Sequence, residues 1–345
     1  MFRARLRVCL TMVAVLLLAA CGGGRYAGEP NRAYIAGTRA YIGRPAVTHP
    51  TDNPPTVGKI DLGRKLFYDK RLSADGSVSC GSCHDPDQGY TRRDVPIPPG
   101  AGGKVGRRNP PSLYDVGYRK TMFHDGRAAS LEGQYLVPMV GSTEMGNNST
   151  EEVVARIRGL PDYELFFANA FASSPSSDNV GKALAAYERV LVTGPNRFDR
   201  WRNGEKDALS SREIAGFRIF ERANCGSCHA ITGKSAEFTD DQFHGNGYAK
   251  LRAESGARDE GRGEITTRAQ DRYAFRTPTL RNVALTAPYM HDGGLATLPD
   301  VLSFYADYGL KSISKAGSSS ITTLNEDERA DLLAFLQSLS SDVLP

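Results

Sequence analysis

The sequence predicts a mainly α protein made of two domains that share one repeated module. Three observations predict it. The 345 residues exceed what a single small helical domain requires and suit two domains of ordinary size. An amphipathic segment running into a cysteine pair occurs twice, as Asp61-Leu-Gly-Arg-Lys-Leu-Phe-Tyr68 ahead of Cys80 and as Ser211-Arg-Glu-Ile-Ala-Gly-Phe-Arg-Ile-Phe220 ahead of Cys225. Strand signals, by contrast, are few.

In chain order, residues 1–20 read as an export leader, with Arg3, Arg5 and Arg7 followed by an apolar run from Val8 to Ala20 that is too short for a membrane span. Leu18-Ala19-Ala20-Cys21 has the form of a lipoprotein cleavage box, which makes Cys21 the lipidated first residue of the mature chain; the competing reading is an ordinary leader with an incidental cysteine. Gly22, not Asp, follows Cys21, which favours retention at the outer membrane of a Gram-negative cell, with the lipid as the only membrane contact. Residues 21–52 are rich in Gly, Pro, Arg and Tyr without a sustained period and read as a flexible tether.

The first domain then spans 53–204 and the second 205–345. Within the first, Thr150 is placed to cap a helix running to Ile157, and Val180 to Val192 carries an apolar stripe. The stretch 196–204 reads as the crossing between domains, and Trp201 within it is read as a packing residue, with a surface electron-hopping site as the alternative. Residues 232–275 are polar and Gly-rich, which predicts irregular structure. Helices are expected again at Leu298–Tyr308 and Asn325–Leu339, the latter with Glu328 three residues beyond an Asn325 cap. Loss of the three leader arginines lowers the formal charge of +4 by three, which leaves no basic surplus of the kind that binds nucleic acid.

Of six cysteines, Cys9 leaves with the leader and Cys21 takes lipid, so Cys80, Cys83, Cys225 and Cys228 remain as two pairs. Both pairs sit in one motif, Cys80-Gly-Ser-Cys83-His84 and Cys225-Gly-Ser-Cys228-His229. C-x-x-C-H attaches c-type haem: the thiols add across the two vinyl groups, and the turn that presents both sulfurs also brings the histidine beneath the iron. A zinc site needs four N/S ligands, and each motif supplies three. A thioredoxin-like redox pair needs a βαβ context that neither motif has. Two covalently bound haems c follow, one in each of two cytochrome c-like domains.

Around these motifs the chain resembles the bacterial di-haem cytochrome c peroxidase and MauG family over nearly all of residues 57–340. The segments that carry the resemblance are Gly63-Arg-Lys-Leu-Phe-Tyr-Asp-Lys-Arg-Leu72, Arg108-Asn-Pro-Pro-Ser-Leu113, Asp125-Gly-Arg-Ala-Ala-Ser-Leu131, Thr143-Glu-Met-Gly146 and Thr277-Pro-Thr-Leu-Arg-Asn-Val-Ala-Leu-Thr-Ala-Pro-Tyr-Met-His-Asp-Gly293. The resemblance implies a peroxidatic haem in the N-terminal domain, a relay haem in the C-terminal domain and one Ca²⁺ between them. The calcium contacts would be the Asn109 side chain and the carbonyl oxygens of Thr286 and Pro288, hard donors suited to that ion; plain turn formation is the competing reading. The family's distal pocket over the first haem maps onto Gln134, Pro138 and Glu144. There Glu144 would take a proton from hydrogen peroxide and return it to the leaving oxygen, the alternative being a carboxylate that caps the turn before Gly146.

The iron ligands sort the family. Ordinary di-haem peroxidases carry a second histidine that closes the first haem until the enzyme is half-reduced, but no histidine occurs between Asp85 and Phe123 here. At the second haem the peroxidases use Met, whereas this chain has Tyr305, as in the MauG type; Met290 and His291 are the other candidates for that position, and a core role is the alternative for Tyr305. The family's inter-haem Trp is replaced by His124, in Met122-Phe123-His124, which is far harder to oxidise. Phe123-His124-Asp125-Gly126 is also similar to di-haem enzymes linked to methanobactin clusters, which act on a copper-binding partner, an analogy resting on one short motif.

Four functions compete. The first is reaction with peroxide at an open first haem followed by oxidation of a periplasmic partner protein through a high-valent di-haem state. The second is plain peroxide reduction fed by a small redox protein. A non-catalytic electron-transfer cytochrome would need both haems six-coordinate and leaves Glu144 without a task. A haem-based sensor would need a signalling module, and none is apparent.

Overall fold

The computed structural model describes residues 44–232, 236–311 and 323–345. The leader, Cys21 and most of the tether lie outside the described residues.

The first half is organised by α1 (Val57–Tyr68), α2 (Thr150–Arg158), α3 (Glu164–Phe171) and α4 (Ser177–Glu188). Ile60, Leu62, Leu66 and Phe67 recur at helical spacing on one face of α1 and are all but fully buried, each contributing about 1.5–3 kcal/mol. That face lies on α4, and the contact depends on Gly63: a Cβ there would stand 2.0 Å from the Ala183 carbonyl oxygen and 2.8 Å from Tyr187 Cβ. The cap of α2 is Ser149, not the expected Thr150; its hydroxyl accepts from the Glu152 N–H at 3.1 Å. Two neighbouring β-hydroxyl residues make this boundary ambiguous by one position in sequence.

The second half repeats the arrangement. It takes in α5 (Arg197–Arg202), which lies before the expected boundary at 204 but packs Phe198 into the second core. It also contains α6 (Ser211–Arg222), α7 (Leu298–Phe304) and α8 (Glu326–Ser338). Ser210 with Glu213, Thr297 with Asp300, and Asn325 with Glu328 form capping boxes on the last three. Helix α6 crosses α8 at Gly216, where a Cβ would stand 2.0 Å from the Asp331 carbonyl oxygen and 2.8 Å from Phe335 Cβ. Gly63 and Gly216 therefore mark equivalent crossings, with Tyr187 matched to Phe335 and Glu188 to Leu336. Trp201 packs against Phe198 and Phe217, with ring centroids 5.8 and 5.9 Å away.

Residues 236–275, within the stretch expected to be irregular, are more ordered than their composition predicts. They hold β1 (Phe243–His244), which pairs antiparallel with β2 (Phe275–Arg276), and short helices at Tyr248–Glu254 and Gly263–Thr266. The pairing joins segments some thirty residues apart in sequence, a contact that no local period reveals.

Residues 44–52, read from composition as tether, also lie against the body. Arg44 is fully buried, with Nη1 2.9 Å from Asp115 Oδ1 in the first half and Nε 2.6 Å from Glu237 Oε1 in the second. Arg281 continues this buried charge chain, with Nη2 2.7 Å from Asp199 Oδ2 and Nε 3.9 Å from Asp115 Oδ2. Unpaired, any of these charges would be costly to bury; paired and hydrogen-bonded, they fix the two halves in one orientation.

Candidate active site

Two cavities flank the seam. The first, of about 410 Å³, is lined by Cys80, Cys83 and His84 together with His124, Gln134, Pro138 and Glu144. The second, of about 330 Å³, is lined by Cys225, Cys228 and His229 together with Met290, His291 and Tyr305. Asn109, Arg119 and His124 line both. The sequence-predicted residues thus fall into two groups with a shared wall.

At each cysteine pair the adjacent histidine is held in one tautomer. His84 Nδ1 donates to the Tyr90 carbonyl oxygen at 3.0 Å, and His229 Nδ1 donates to that of Phe238 at 3.0 Å. Both acceptors adopt left-handed backbone, with φ 53° at Tyr90 and 51° at Phe238, a conformation unfavourable for a side-chain-bearing residue and repeated at both sites. The bond leaves each Nε2 lone pair available to a metal. Burial pulls the His84 pKa down to about 4 and lowers that of His229, so both rings are held neutral, the form that ligates. Burial likewise pushes the Cys80 and Cys225 thiols up to about 12.

The zinc reading fails, since among the described residues no three His, Cys, Asp or Glu side chains are grouped to hold an ion. Haem fits better. Arg119 and Arg276 lie deep in the seam; burial, then the positive charge of Arg276, pushes Arg119 down to about 9, and burial lowers Arg276 too. Arg276 keeps an ion pair, Nη1 3.3 Å from Asp241 Oδ1, and Arg119 Nη2 donates to the Ser112 carbonyl at 3.0 Å. Arg119 lines both cavities and Arg276 the second, and guanidiniums on these walls suit the carboxylate groups of a porphyrin.

Glu144 lies in the turn that follows a short helix at Leu136–Val140. Its N–H donates to the Gly141 carbonyl at 2.9 Å, and that of Met145 donates to Pro138 at 3.0 Å. Burial raises the Glu144 pKa, with Arg127 opposing the shift. Among the described residues, the histidines lining the first cavity are His84 and His124. His124 Nε2 is 2.9 Å from the Asn109 carbonyl oxygen, to which it donates, and burial pushes its pKa down to about 3. Its own carbonyl accepts from the Arg276 N–H at 2.7 Å. His124 is thus a neutral imidazole pinned on the seam.

In the second cavity the Tyr305 hydroxyl accepts from Asn246 Nδ2 at 2.9 Å, and burial pushes its pKa up to about 12. Tyr305 stands where α7 loosens into a π turn, Tyr305–Gly309. His291 instead stacks on Phe275 at 4.2 Å, with Asp292 and Asp259 of its own half and Arg108 of the other as charged neighbours. Asn109, Thr286 and Pro288 each line this cavity, and Asn109 Nδ2 donates to the Pro96 carbonyl at 2.7 Å.

Sequence reading missed Arg119, Arg276, Asn246 and Glu188. A buried arginine looks in sequence like a surface one, so only the seam identifies the first two. One signal was present and unread: Phe123-His124-Asp125-Gly126 recurs as Met290-His291-Asp292-Gly293, with φ near 70° at both Phe123 and Met290.

Comparison with known proteins agrees with this geometry. Residues 58–207 match the family model described as di-haem cytochrome c peroxidase, and residues 214–340 match that of cytochrome c. The methylamine utilization protein MauG of Methylorubrum extorquens is 38% identical over 93% of this chain and 90% of its own length. The cytochrome c551 peroxidase of Pseudomonas aeruginosa is 34% identical over 85% of this chain and 82% of its own. A solved MauG-like protein associated with microbial copper homeostasis superposes with a TM-score of 0.76 at 34% identity, covering 88% of this chain and 95% of that one. With its duplicated cysteine-pair scaffold and relatives of this likeness along most of its length, the chain belongs to the di-haem cytochrome c peroxidase and MauG family, oxidoreductases that carry two haems c and act on peroxide.

Proposed function

We propose that this protein reacts with hydrogen peroxide at an open first haem and delivers the oxidising equivalents to a partner protein, in the MauG manner. One observation carries the reading: the first cavity holds no histidine other than His84 that is free to reach an iron, because His124 is committed to Asn109. Cys80, Cys83 and His84 would hold the first haem, and Cys225, Cys228, His229 and Tyr305 the second. When bound, the haems supply the capacity to cleave the peroxide O–O bond and to store two oxidising equivalents.

The chain's own groups manage protons and access. Glu144, whose burial moves its pKa toward neutrality, takes a proton from one peroxide oxygen and returns it to the other. Gln134 and Pro138 shape the space beside it. Tyr305, its oxygen bonded by Asn246, would serve the second haem as a phenolate ligand, which would favour the oxidised states where a thioether would favour the reduced one. Thr286, Pro288 and Asn109 would hold Ca²⁺ on the seam. The protein would act in the periplasm, anchored through lipid on Cys21, and the copper-linked relative gives a copper-binding protein as the first partner class to try.

The test is an EPR spectrum of the fully oxidised holoprotein before and after one equivalent of peroxide, with no reductant present. A high-spin ferric signal that collapses to a long-lived species absorbing in the near infrared is the expected result. Two low-spin signals and no reaction before half-reduction would instead establish the second reading, an ordinary peroxidase fed by a small redox protein, which the cytochrome c551 peroxidase relative favours, or a non-catalytic electron carrier. Tyr305→Met should raise the second haem's potential by on the order of 100 mV.

A further inference from the structure

The two halves share a frame, and the frame exposes a difference that belongs to the first alone. Where the second half has Phe335 on α8, the first has Tyr187 on α4. Where the second has Phe238 accepting from the proximal histidine, the first has Tyr90. The two added hydroxyls face one another, with Tyr90 Oη 3.4 Å from Tyr187 Oη, and Tyr187 Oη is in turn 3.0 Å from Tyr68 Oη. Tyr90 and Tyr187 are only 3% and 2% exposed, whereas Tyr68, at the end of α1, is half-buried. Its ring also lies on the attachment turn itself, since a Cβ on Gly81 would stand 2.5 Å from Tyr68 Cδ1. The chain of phenols therefore begins beside His84, passes the Cys80–Cys83 turn and ends near solvent. A buried hydroxyl is costly unless bonded, and the second half packs the positions of Tyr90 and Tyr187 with phenyl rings, those of Phe238 and Phe335.

We infer that Tyr90, Tyr187 and Tyr68 form an outlet that carries an oxidising equivalent from the first haem to the protein surface when no partner protein takes it. This rests on the peroxide reading above. In each passage one electron moves from Tyr90 to the peroxide-oxidised haem group. Tyr90 recovers its electron from Tyr187 and Tyr187 from Tyr68. Each inner phenol's proton shifts along its hydrogen bond as that ring is oxidised and returns as it is reduced, so that only Tyr68 loses a proton, to water. A neutral phenoxyl radical is left on Tyr68. A small phenolic or enediol reductant in solution then supplies one electron, with a proton taken back from water, and restores it.

The test uses the holoprotein labelled with ring-deuterated tyrosine, treated with hydrogen peroxide without reductant, freeze-quenched for EPR and, in parallel, spin-trapped for peptide mapping by mass spectrometry. The expected result is an organic radical signal narrowed by the label and a trapped adduct on Tyr68. Tyr68→Phe should lose the adduct; Tyr187→Phe should lose it as well and lengthen the lifetime of the peroxide-oxidised haem spectrum. Tyr163→Phe, a buried tyrosine of the same half outside the chain, should match the parent. Tyr68→Phe lies at the edge of the core and keeps the test decisive if Tyr187→Phe fails to fold. An adduct map and decay unchanged in Tyr68→Phe overturn the outlet while leaving the peroxide reading intact. A parent protein whose haem spectrum ignores peroxide overturns that reading, and the outlet with it.

Discussion

Gly63 brings α1 onto α4 as Gly216 brings α6 onto α8, and each crossing ends in the same Cys-Gly-Ser-Cys-His turn with its histidine bonded to a left-handed residue. What faces the cavity then diverges. Leu184 and Leu332 are matched on the two helices and both line their cavities, but the next matched pair that does so is Glu188 in the first and Leu336 in the second. Glu144, Gln134 and Arg127 add further polar groups to the first. The second is walled by Leu298, Leu302, Leu310 and Leu324, with Tyr305 among them. On the proposed reading, the comparison teaches that holding a haem and reacting at it are separable: the frame would do the first twice, and side chains on one copy the second.

The largest test of that separation removes one attachment site at a time. Replacing both cysteines of either pair by Ala should halve the covalent haem per chain, read by pyridine haemochrome after solvent extraction. Loss of both haems from a single-pair variant would show that the halves do not load independently. Next, Glu144→Gln should slow the first haem's reaction with peroxide by about 10²–10⁴-fold in stopped-flow, with the second haem's ferric spectrum unchanged.

A subtler break makes the first half resemble the second. Burial pushes the Glu188 pKa from 4.5 up to about 8. Over that window the folded chain keeps a proton that the unfolded chain releases. The stabilisation is therefore complete below 4.5 and fades as pH rises through 8. Glu188→Leu, which copies Leu336, should flatten this decline in thermal melts taken between pH 5 and 8.

The smallest effect concerns a wall lent across the seam. Glu264 and Ile265 of the second half reach the first cavity, on a segment held by Arg108 Nε 2.7 Å from Asp259 Oδ2. Asp259→Asn should cost about 1–2 kcal/mol at neutral pH, seen as a lowered Tm. The Arg108 guanidinium helps to hold the Asp259 pKa down at about 2 against its own burial. The pair's contribution is thus present above the ordinary 3.8 and lost as pH falls through 2, where variant and parent should converge.

How much of this was legible in sequence follows the range of each signal. The repeated amphipathic helices, the Asn325 capping box and the C-x-x-C-H turns are set within a few residues, and sequence reading found them. The Gln134, Pro138 and Glu144 group came from ordered family segments, and the structure places all three on one cavity. The seam was illegible because its parts come from distant positions. Arg44, Asp115, Arg281 and Asp199 look individually like solvated charges, and only their meeting shows that they are buried. The β1–β2 pairing was hidden for the same reason.

Arg44 also decides where a load enters the molecule. Its guanidinium grips Asp115 on one side of the seam and Glu237 on the other, so a pull on this position acts on the seam and not on the end of either half. If the preceding segment is leashed to a membrane, tension on that leash is shared by both halves and presses the seam toward the bilayer. The far ends of the two halves would then stand outward, toward whatever the protein meets.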